Sequence, residues 1–349
     1  MSRKLYKVSL AIFALVLLFS VNAIAQESRT GTNAASELLI PVGARYMAMG
    51  GASVAMVEGI ESIFWNPAGL SKGKYGTNVM FSRMSHIAGV DVNYVAVSSN
   101  FGGFGTLGFH IKALDIGDIL VTTEDAPDGT GGIISPQFIT GGLTYAKQLT
   151  DRIAIGATVT LISEKIDRVS ASGAAFDFGV QYSNLANIDG FSIAVSVKNI
   201  GPSMQYGGSG LLRRAQDPTG DRGDSPFAVV AASDELPSVL ELGVAYSMAM
   251  GEESTLQFSG VYQDNNFIDD VTRFGGEYSF QDMFYVRAGY SFAPDSNDDV
   301  AGQNNYIYGM TFGGGITYDF SNVGVSIDYT YRQVDIFDAN NVFSIKLGF

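Results

Sequence analysis

The chain has 349 residues, a formal net charge of −14 at pH 7 and no cysteine. A chain this acidic is not expected to bind nucleic acid, and without cysteine it can form no disulfide bond and no thiolate metal site. Its 42 glycines, 23 phenylalanines and 17 tyrosines, with only 16% charged residues, favour β structure over helix.

Residues 1–25 have the features of a secretory signal peptide. Positively charged residues precede an apolar run over 8–21, and Ala23 to Ala25 provides an A-x-A cleavage site. The apolar run is too short for a transmembrane helix, and no cysteine follows the cleavage site to carry a lipid. We therefore expect an exported protein whose mature chain begins at Gln26.

Residues 26–75 lack the alternation of a β-strand. They mix apolar side chains with glycines in the stretch VGARYMAMGGASVAMVEGIESIFWNPAGLSKG. Pro67 stops any helix and favours an extended Asn66, so WNPAG is predicted to be a turn. An apolar, glycine-punctuated segment of this kind needs burial, and the rest of the chain has to supply it.

Residues 76–349 alternate with a period of two, which is the pattern of β-strands. The clearest case is NVGVSIDYTYRQV, where apolar and aromatic side chains share one face and small or polar ones the other. Most segments have roughly the nine to eleven residues that a tilted strand needs to cross a bilayer. The pattern predicts about fourteen strands, over 76–85, 89–99, 104–112, 137–149, 152–165, 172–182, 191–199, 237–250, 254–263, 270–279, 283–292, 307–320, 322–334 and 340–349.

The connections between these strands differ in length in a regular way. Short connections follow the even-numbered strands, whereas long ones, near 113–136, 200–236 and 293–306, follow the third, seventh and eleventh. Short turns at one rim and long loops at the other are typical of bacterial outer-membrane barrels. We therefore predict an all-β fold, an antiparallel transmembrane β-barrel of about fourteen strands, with both mature termini on the periplasmic side.

A secreted β-sandwich or propeller also contains alternating strands and is the main alternative. Aromatic residues near the strand ends, such as Tyr318 and Phe320, suit the girdles of a lipid-facing surface instead. No repeat of about 40 residues supports a propeller. The barrel is therefore the favoured architecture.

The last strand ends with four alternating apolar residues, Phe343, Ile345, Leu347 and Phe349. In a closed barrel the last strand pairs with the first, so neither has a free edge. This ending resembles the C-terminal signal that the outer-membrane insertion machinery reads, and Phe349 would also be an interfacial anchor. The alternative is an ordinary core strand that happens to end in phenylalanine.

The stretch GARYMAMGGASVAMVEGIESIFWNPAGL resembles the N-terminal hatch signature of FadL-type outer-membrane proteins. Its G-A-R-x-x-x-M-G-G-A-x-V-A form is most similar to the PorV/PorQ branch, and the remaining chain is similar only in architecture. The resemblance implies that residues 26–75 are a hatch that plugs the barrel lumen, residues 76–349 being the barrel. The candidate hatch residues are Gly43, Ala44, Arg45, Met49, Gly50, Gly51, Ala52, Trp65, Asn66, Pro67, Ala68 and Gly69.

These hatch residues have two possible roles. They either only fold the plug or take part in gating or ligand contact. Arg45 is a fixed charge that needs a carboxylate or backbone carbonyls within the lumen. Asn66 can form hydrogen bonds with the backbone of its turn and so hold the plug.

The resemblance implies two classes of function, both non-enzymatic. One is an accessory or shuttle component of a type IX-like secretion system, whose partners are secretion-system proteins or exported cargo; the branch resemblance favours this slightly. The alternative is a FadL-like transporter of long-chain fatty acids or other hydrophobic small molecules. A continuous apolar pocket under the hatch would favour the transporter.

Other chemistry finds little support in the sequence. His86 and His110 have no neighbour at metal-ligand spacing and no evident catalytic partner, so we expect no enzyme, metal or cofactor. The acidic loop segments do not fit the twelve-residue calcium loop. The loop 200–236, which contains Arg213 and Arg214, suits contact with a partner or with lipopolysaccharide and outer-membrane lipids.

Overall fold

The computed structural model describes residues 31–215, 225–294 and 306–349. The predicted signal peptide and its cleavage site lie outside these residues. The described strands, in chain order, are β1 (Thr77–Ser85), β2 (Asp91–Asn100), β3 (Thr106–Asp115), β4 (Ile119–Leu120), β5 (Ile133–Ile134), β6 (Gln137–Gln148), β7 (Ile153–Ile166), β8 (Val169–Tyr182), β9 (Phe191–Ile200), β10 (Met204–Gln205), β11 (Leu212–Ala215), β12 (Ser225–Ala228), β13 (Ser233–Asp234), β14 (Val239–Ala249), β15 (Ser254–Asn265), β16 (Val271–Phe280), β17 (Phe284–Phe292), β18 (Tyr308–Phe320), β19 (Val323–Val334) and β20 (Asn340–Gly348).

Fourteen of these strands form a closed antiparallel barrel, in the order β1-β2-β3-β6-β7-β8-β9-β14-β15-β16-β17-β18-β19-β20. β20 pairs with β1, so that Phe81 lies opposite Ile345 and the sheet has no free edge. The fourteen predicted strands are all present, and each boundary lies within three residues of the prediction. The all-β barrel prediction is therefore confirmed.

The strands alternate between a buried inner face and an exposed outer face. On β1, Met80, Ser82 and Met84 are buried, whereas Phe81 between them is 43% exposed. A continuous apolar outer surface of this kind is what a membrane-spanning barrel presents to lipid. In the described part of the chain, no helix has both the length and the apolarity to cross a membrane. The outer face is rich in large apolar side chains, among them Phe109, Leu143, Leu161, Phe178, Phe258, Val286, Ile316 and Tyr329.

The connections are sorted between the two rims as the sequence predicts. The short-turn rim joins β2 to β3, β6 to β7, β8 to β9, β14 to β15, β16 to β17 and β18 to β19. The long-loop rim carries all three long connections. Within them lie three small two-stranded sheets, β4–β5, β10–β13 and β11–β12, which the sequence analysis missed because two to four residues are too few to show alternation.

The N-terminal segment, residues 31–75, consists of turns and two short helices, α1 (Ala44–Met47) and α2 (Ser62–Trp65). Turns of 310 helix cover Ser36–Leu39, Gly59–Glu61 and Pro67–Lys72. The segment packs against the inward-facing side chains of the barrel and forms the main hydrophobic core with them. That core includes Val42, Tyr46, Met47, Met49, Ile63, Trp65 and Leu70 of the segment with Met80, Met84, Tyr94 and Val342 of the wall.

The two ends of the described chain lie at opposite rims. The Phe349 amide donates to the Thr77 carbonyl (2.8 Å) at the short-turn rim, whereas the Gly31 amide donates to the Phe267 carbonyl (3.3 Å) in the β15–β16 connection at the long-loop rim. Gln26 lies outside the described residues. The predicted position of both mature termini on the periplasmic side therefore stays a prediction.

Candidate functional site

The N-terminal segment is held in the lumen by a buried cluster of ion pairs. Arg45 on α1 donates through Nε and Nη2 to the two carboxylate oxygens of Glu277 on β16, at 3.0 and 2.8 Å. The expectation that Arg45 needs a carboxylate inside the barrel is confirmed. Arg287 on β17 donates to the same Glu277 carboxylate at 2.5 Å.

The cluster continues along the wall and returns to the segment. Arg287 also donates to Asp328 on β19 at 2.7 Å, and Lys346 on β20 lies 3.2 Å from that aspartate. Lys346 then donates to Glu61 of the segment at 2.7 Å. Three cations thus face three carboxylates, and each of the six groups has a partner of opposite charge. We call this the charged cluster: Arg45, Glu61, Glu277, Arg287, Asp328 and Lys346.

Wall hydroxyl groups satisfy backbone groups at the ends of α1. The Ala44 amide donates to Ser344 Oγ (2.8 Å), and Thr330 Oγ1 donates to the Ala44 carbonyl (2.5 Å). Thr311 Oγ1 donates to the Ala48 carbonyl (2.9 Å). A four-residue helix cannot satisfy its end groups internally, so these wall residues replace water.

Glycines of the wall allow a second kind of contact, in which backbone lies directly on backbone. A Cβ atom at Gly275 or Gly289 would collide with the main chain at Met49, and one at Gly313 would collide with Ala48. We call Gly156, Gly179, Gly275, Gly289 and Gly313 the glycine contacts.

On the other side of the lumen the turn after α2 lies against Gly156 of β7 and Gly179 of β8. A Cβ atom at either position would collide with Pro67 or Asn66. Asn66 is fully buried, donates to the Val54 carbonyl (2.9 Å) and accepts from the Ala68 amide (3.1 Å). The expected turn-holding bonds of Asn66 are therefore present.

The predicted hatch residues lie along three sides of the lumen and do not converge on one point. Ala44 and Arg45 face β16 to β20, whereas Gly43 lies against Glu61 of the segment and Met80 of β1. Asn66, Pro67 and Ala68 face β7 and β8, whereas Gly69 lies against Val57 and Ser62 of the segment itself. Met49, Gly50 and Gly51 form a turn against β16 and β17, where Gly50 and Gly51 have φ of +68° and +80°, a conformation that favours glycine. Ala52 packs among Val54, Ala194, Ala245 and Val261.

A cavity of about 230 Å³ lies between the N-terminal segment and the long-loop rim; we call it the main cavity. Met47, Phe64 and Trp65 supply apolar surface on the segment side, and Val271 and Ile268 supply it on the wall and loop side. Of the predicted hatch residues, Gly50, Gly51 and Trp65 line this cavity. The Trp65 Nε1 donates to the Val42 carbonyl (3.2 Å), which fixes the indole ring.

Charged side chains line the rest of the main cavity, with an excess of positive charge. Lys198 and Arg273 both pair with Glu241, at 2.8 and 3.1 Å. Arg332 stacks on the Tyr308 ring, with its guanidinium carbon 3.4 Å from the ring centroid. Among the described residues, no carboxylate lies within ion-pair distance of Arg332.

His86, in the connection after β1, also lines the main cavity. Burial and the nearby Arg332 lower the pKa of His86 to about 4, so its ring is neutral at physiological pH. Asn340 Nδ2 lies 3.2 Å from its Nδ1. His86 therefore adds no positive charge to the cavity beside Arg332.

A smaller cavity of about 30 Å³ adjoins the main cavity on the other side of Phe64. The ammonium groups of Lys112 and Lys198 lie 5.2 and 5.1 Å from the centroid of the Phe64 ring. Tyr94 Oη and His110 Nδ1 are buried beside this cavity without a protein hydrogen-bond partner among the described residues. The site is thus polar and large enough for water, and Phe64 separates it from the main cavity.

Glu37 lies in the first turn of the N-terminal segment, where that turn contacts the barrel wall near the long-loop rim. Burial, and secondly the nearby Glu164 of β7, raises the pKa of Glu37 to about 7. Lys112 donates to the Glu37 backbone carbonyl (2.7 Å), and Tyr206 Oη donates to Glu164. Protonation of Glu37 therefore stabilises the packing of this turn against the barrel wall.

The outer face of the wall carries a wide apolar groove of about 840 Å³ across β14 to β18, which we call the outer groove. Phe258, Phe274, Tyr290, Met310 and Phe312 line it, all at least 40% exposed. Its base contains Gly275 and Gly289, whose inner sides touch the segment at Met49. At this place only the backbone of the wall separates the N-terminal segment from the outside.

Sequence reasoning missed the wall residues that hold the segment. Glu277, Asp328 and Lys346 lie at inward positions within strands, between outward apolar neighbours. A charge at the centre of a membrane-spanning strand is costly unless it is paired, so these positions carried a usable signal. On β20 the predicted insertion residues Phe343, Ile345, Leu347 and Phe349 alternate with inward residues, and Phe343 and Phe349 are exposed on the outer face.

No family model and no curated protein matches the chain. Among solved structures it is similar to the toluene transporter TodX of P. putida, with a TM-score of 0.55 and 16% identity over 88% of this chain and 99% of that one. The toluene transporter TbuX of Ralstonia pickettii gives a TM-score of 0.56 and 14% identity, over 88% and 98% of the two chains. A Pseudomonas aeruginosa FadL homologue gives 0.50 and 10%, also over 88% and 98%. At these identities the likeness shows the fold, that of FadL-type barrels, and does not show the PorV/PorQ branch.

Proposed function

We propose that this protein is an outer-membrane transporter that takes up a hydrophobic small molecule through the main cavity. The observation that carries the proposal is the cavity itself, which is not a continuous apolar pocket under the hatch but has an apolar side at Phe64 and Trp65 and lies directly under the long-loop rim. Binding pockets for small molecules combine apolar lining with a few placed polar groups in this way. The structural neighbours described as toluene transporters support the same reading.

The outer-membrane location belongs to the same proposal. The closed barrel and its apolar outer face support it, because a surface of this kind requires lipid around it. In this reading the outward residues of β20, with Phe349 at the end, form the signal that the insertion machinery recognises. Phe349→Ala should then reduce the amount of inserted barrel in cells, whereas Phe320→Ala, which removes an equally exposed aromatic from another strand, should not.

The charges of the main cavity favour a ligand with one anionic end. Arg332 has no carboxylate partner among the described residues, and Glu241 is shared by two cations. A fatty-acid carboxylate beside Arg332 would form a charge-assisted hydrogen bond, with its hydrocarbon chain on Phe64 and Trp65. The cavity volume of about 230 Å³ suits a medium-chain acid or the first part of a longer one.

In this proposal the N-terminal segment is a hatch that closes the lumen and supports the cavity. The predicted residues away from the cavity, from Gly43 to Arg45 and from Asn66 to Gly69, hold the hatch, while Trp65 and Gly51 contact the ligand. Because the charged cluster ties the hatch to the wall and β16 and β17 are paired at Gly275 and Gly289, passage of the ligand requires displacement of the hatch or separation of these two strands.

Trp65 is the single tryptophan of the chain and lines the cavity, so its fluorescence reports ligand binding. We expect saturable changes on titration with laurate, and weaker laurate binding by about tenfold in Arg332→Gln, the loss of one charge-assisted bond. Toluene should bind both proteins alike. Arg83→Gln, which removes an exposed cation paired with Asp91 outside the cavity, is the matched control. Absence of any saturable response to either ligand would contradict the proposal.

The secretion role favoured by the branch resemblance remains a second candidate. The observation in its favour is the firm attachment of the segment, since a static plug suits a docking protein better than a channel. Isolation of the barrel in mild detergent distinguishes the two roles. Stoichiometric exported proteins without enriched lipid would support the secretion role, and enriched fatty acid without such proteins would support transport.

A further inference from the structure

Four exposed cations lie at the long-loop rim of the barrel. Lys165 is at the outward face near the end of β7, Arg168 lies in the two-residue turn to β8, and Arg213 and Arg214 lie on β11. The β11–β12 hairpin is tied to that turn, because the Gly210 amide donates to the Arg168 carbonyl (3.2 Å). We call Lys165, Arg168, Arg213 and Arg214 the basic rim cluster.

The positive charge of this cluster is largely uncompensated within the described residues. Arg168 forms an ion pair with Asp167 at 3.3 Å, in which both side chains are about half exposed or more. Among the described residues, Arg213 donates to the backbone carbonyls of Gly210 and Leu212, at 3.1 and 3.2 Å. Exposed cations of this kind favour an anionic partner from outside.

The cluster lies where the apolar outer face of the barrel ends. Along β7 the outward side chains change from Val159 and Leu161, both exposed, to Ser163 and then Lys165. The outward residues of β8 change in the same way, from Phe176 to Ser172 and Ser170. A residue just beyond the apolar band of a membrane barrel is at the height of the lipid headgroups.

The hairpin combines these cations with exposed apolar side chains. Arg213 lies opposite Phe227, and Phe227 and Leu212 are 46% and 47% exposed. Val230, just after the hairpin, is 82% exposed. A surface with cations and apolar groups side by side matches a molecule with phosphate and acyl chains better than it matches a soluble anion, which needs charge alone.

We propose that the basic rim cluster binds the phosphate groups of an anionic outer-leaflet glycolipid. The guanidinium groups of Arg168, Arg213 and Arg214 would each present paired donors to phosphate oxygens. The exposed apolar residues of the hairpin then cover the upper part of its acyl chains. The site lies on the outer surface, so it is independent of the transport proposal.

The test measures how much glycolipid the full-length mature barrel retains. The protein is reconstituted into phosphatidylcholine vesicles containing a minor fraction of lipid A, re-isolated in mild detergent, and the bound lipid A is measured by mass spectrometry. We expect Arg213→Gln/Arg214→Gln to retain about tenfold less lipid A than the wild type at low salt. The difference should shrink at high salt, because exposed charges are screened.

The matched control is Lys147→Gln/Arg152→Gln, which removes two cations from the short-turn rim of the same barrel sector. It should retain lipid A like the wild type. A second pair, Lys165→Gln/Arg168→Gln, provides the same test if the hairpin variant does not fold. Equal retention by the cluster variants and the wild type, or equal loss in the control, would overturn the proposal. Displacement of lipid A by millimolar inorganic phosphate alone would also overturn it, since the site would then bind a free anion.

Discussion

The N-terminal segment is attached to the barrel by two kinds of contact that differ in what they require. The charged cluster uses long side chains on β16, β17, β19 and β20 whose partners must be present and correctly ionised. The glycine contacts require the absence of side chains, so that the backbone of the segment can touch the wall. The charged cluster tolerates small shifts of its side chains but depends on their ionisation. The glycine contacts do not depend on ionisation, but they leave no room for an added side-chain atom.

The charged cluster should fail most severely when one carboxylate is removed. Glu277→Ala leaves Arg45 and Arg287 facing each other without their shared partner, and we expect a loss of about 3–5 kcal/mol in the free energy of unfolding. Chemical denaturation in detergent micelles, followed by Trp65 fluorescence, measures the change. The control is Asp319→Ala, which breaks the exposed Lys74–Asp319 pair and should cost less than about 1 kcal/mol. Equal losses in the two variants would show that the cluster contributes no more than a surface pair.

The glycine contacts are tested by two neighbouring positions on β16. A methyl group at Gly275 collides with the Met49 main chain, so Gly275→Ala should destabilise the protein by about 3 kcal/mol. At Gly276 an added methyl group would point outward and lie 3.5 Å from the Phe258 ring. Gly276→Ala should therefore change the free energy of unfolding by less than about 0.5 kcal/mol. The same denaturation experiment compares them. If both alanines are tolerated equally, the close contact at Met49 is not present in solution.

The attachment at Glu37 should depend on pH. Its pKa of about 7, raised from 4.5, means that its stabilising contribution is complete below pH 4.5 and is lost as pH rises through 7. The groups facing it are Glu164, Lys112 and Tyr206. Backbone amides of Ser36–Leu39 should therefore exchange faster at pH 8 than at pH 5, by more than the rise in the intrinsic exchange rate. The free energy of protection of these amides should fall by up to about 3 kcal/mol over this range. Glu37→Gln should remove this extra dependence, and an unchanged profile in that variant would refute the assignment.

The turn at Asn66 combines both kinds of contact, since its side chain makes hydrogen bonds and its Oδ1 lies against Gly179. Asn66→Ala should cost about 2 kcal/mol, because the Val54 carbonyl keeps only its bond from Gln181 and the Ala68 amide loses its acceptor. Thermal unfolding of the two proteins measures the difference. Ser71→Ala, which removes one partly buried hydrogen bond of the same turn, is the control and should cost less than about 1 kcal/mol.

The barrel could be predicted from the sequence because alternation reports directly which side of the sheet each residue faces. The strand around Asp328 was identified in this way, and so was the pairing of the ends through Phe349. The path of the N-terminal segment could not be predicted, because its contacts join residues more than 200 positions apart, as Arg45 and Glu277 are. The main cavity depends on the same long-range packing, so Arg332 and Val271 carried no local signal of their role.

The most direct test of the transport proposal is uptake of labelled laurate by cells that produce the protein in their outer membrane and lack other fatty-acid transporters. Val271→Trp fills the main cavity from the inner face of β16, whereas Val286→Trp adds the same bulk on the outer face of β17, where the side chain is 66% exposed. The account predicts saturable uptake by the wild type and by Val286→Trp, and its loss in Val271→Trp with the barrel still inserted. Uptake that Val271→Trp leaves unchanged, or an inserted wild-type barrel that takes up no laurate and no toluene, would contradict it.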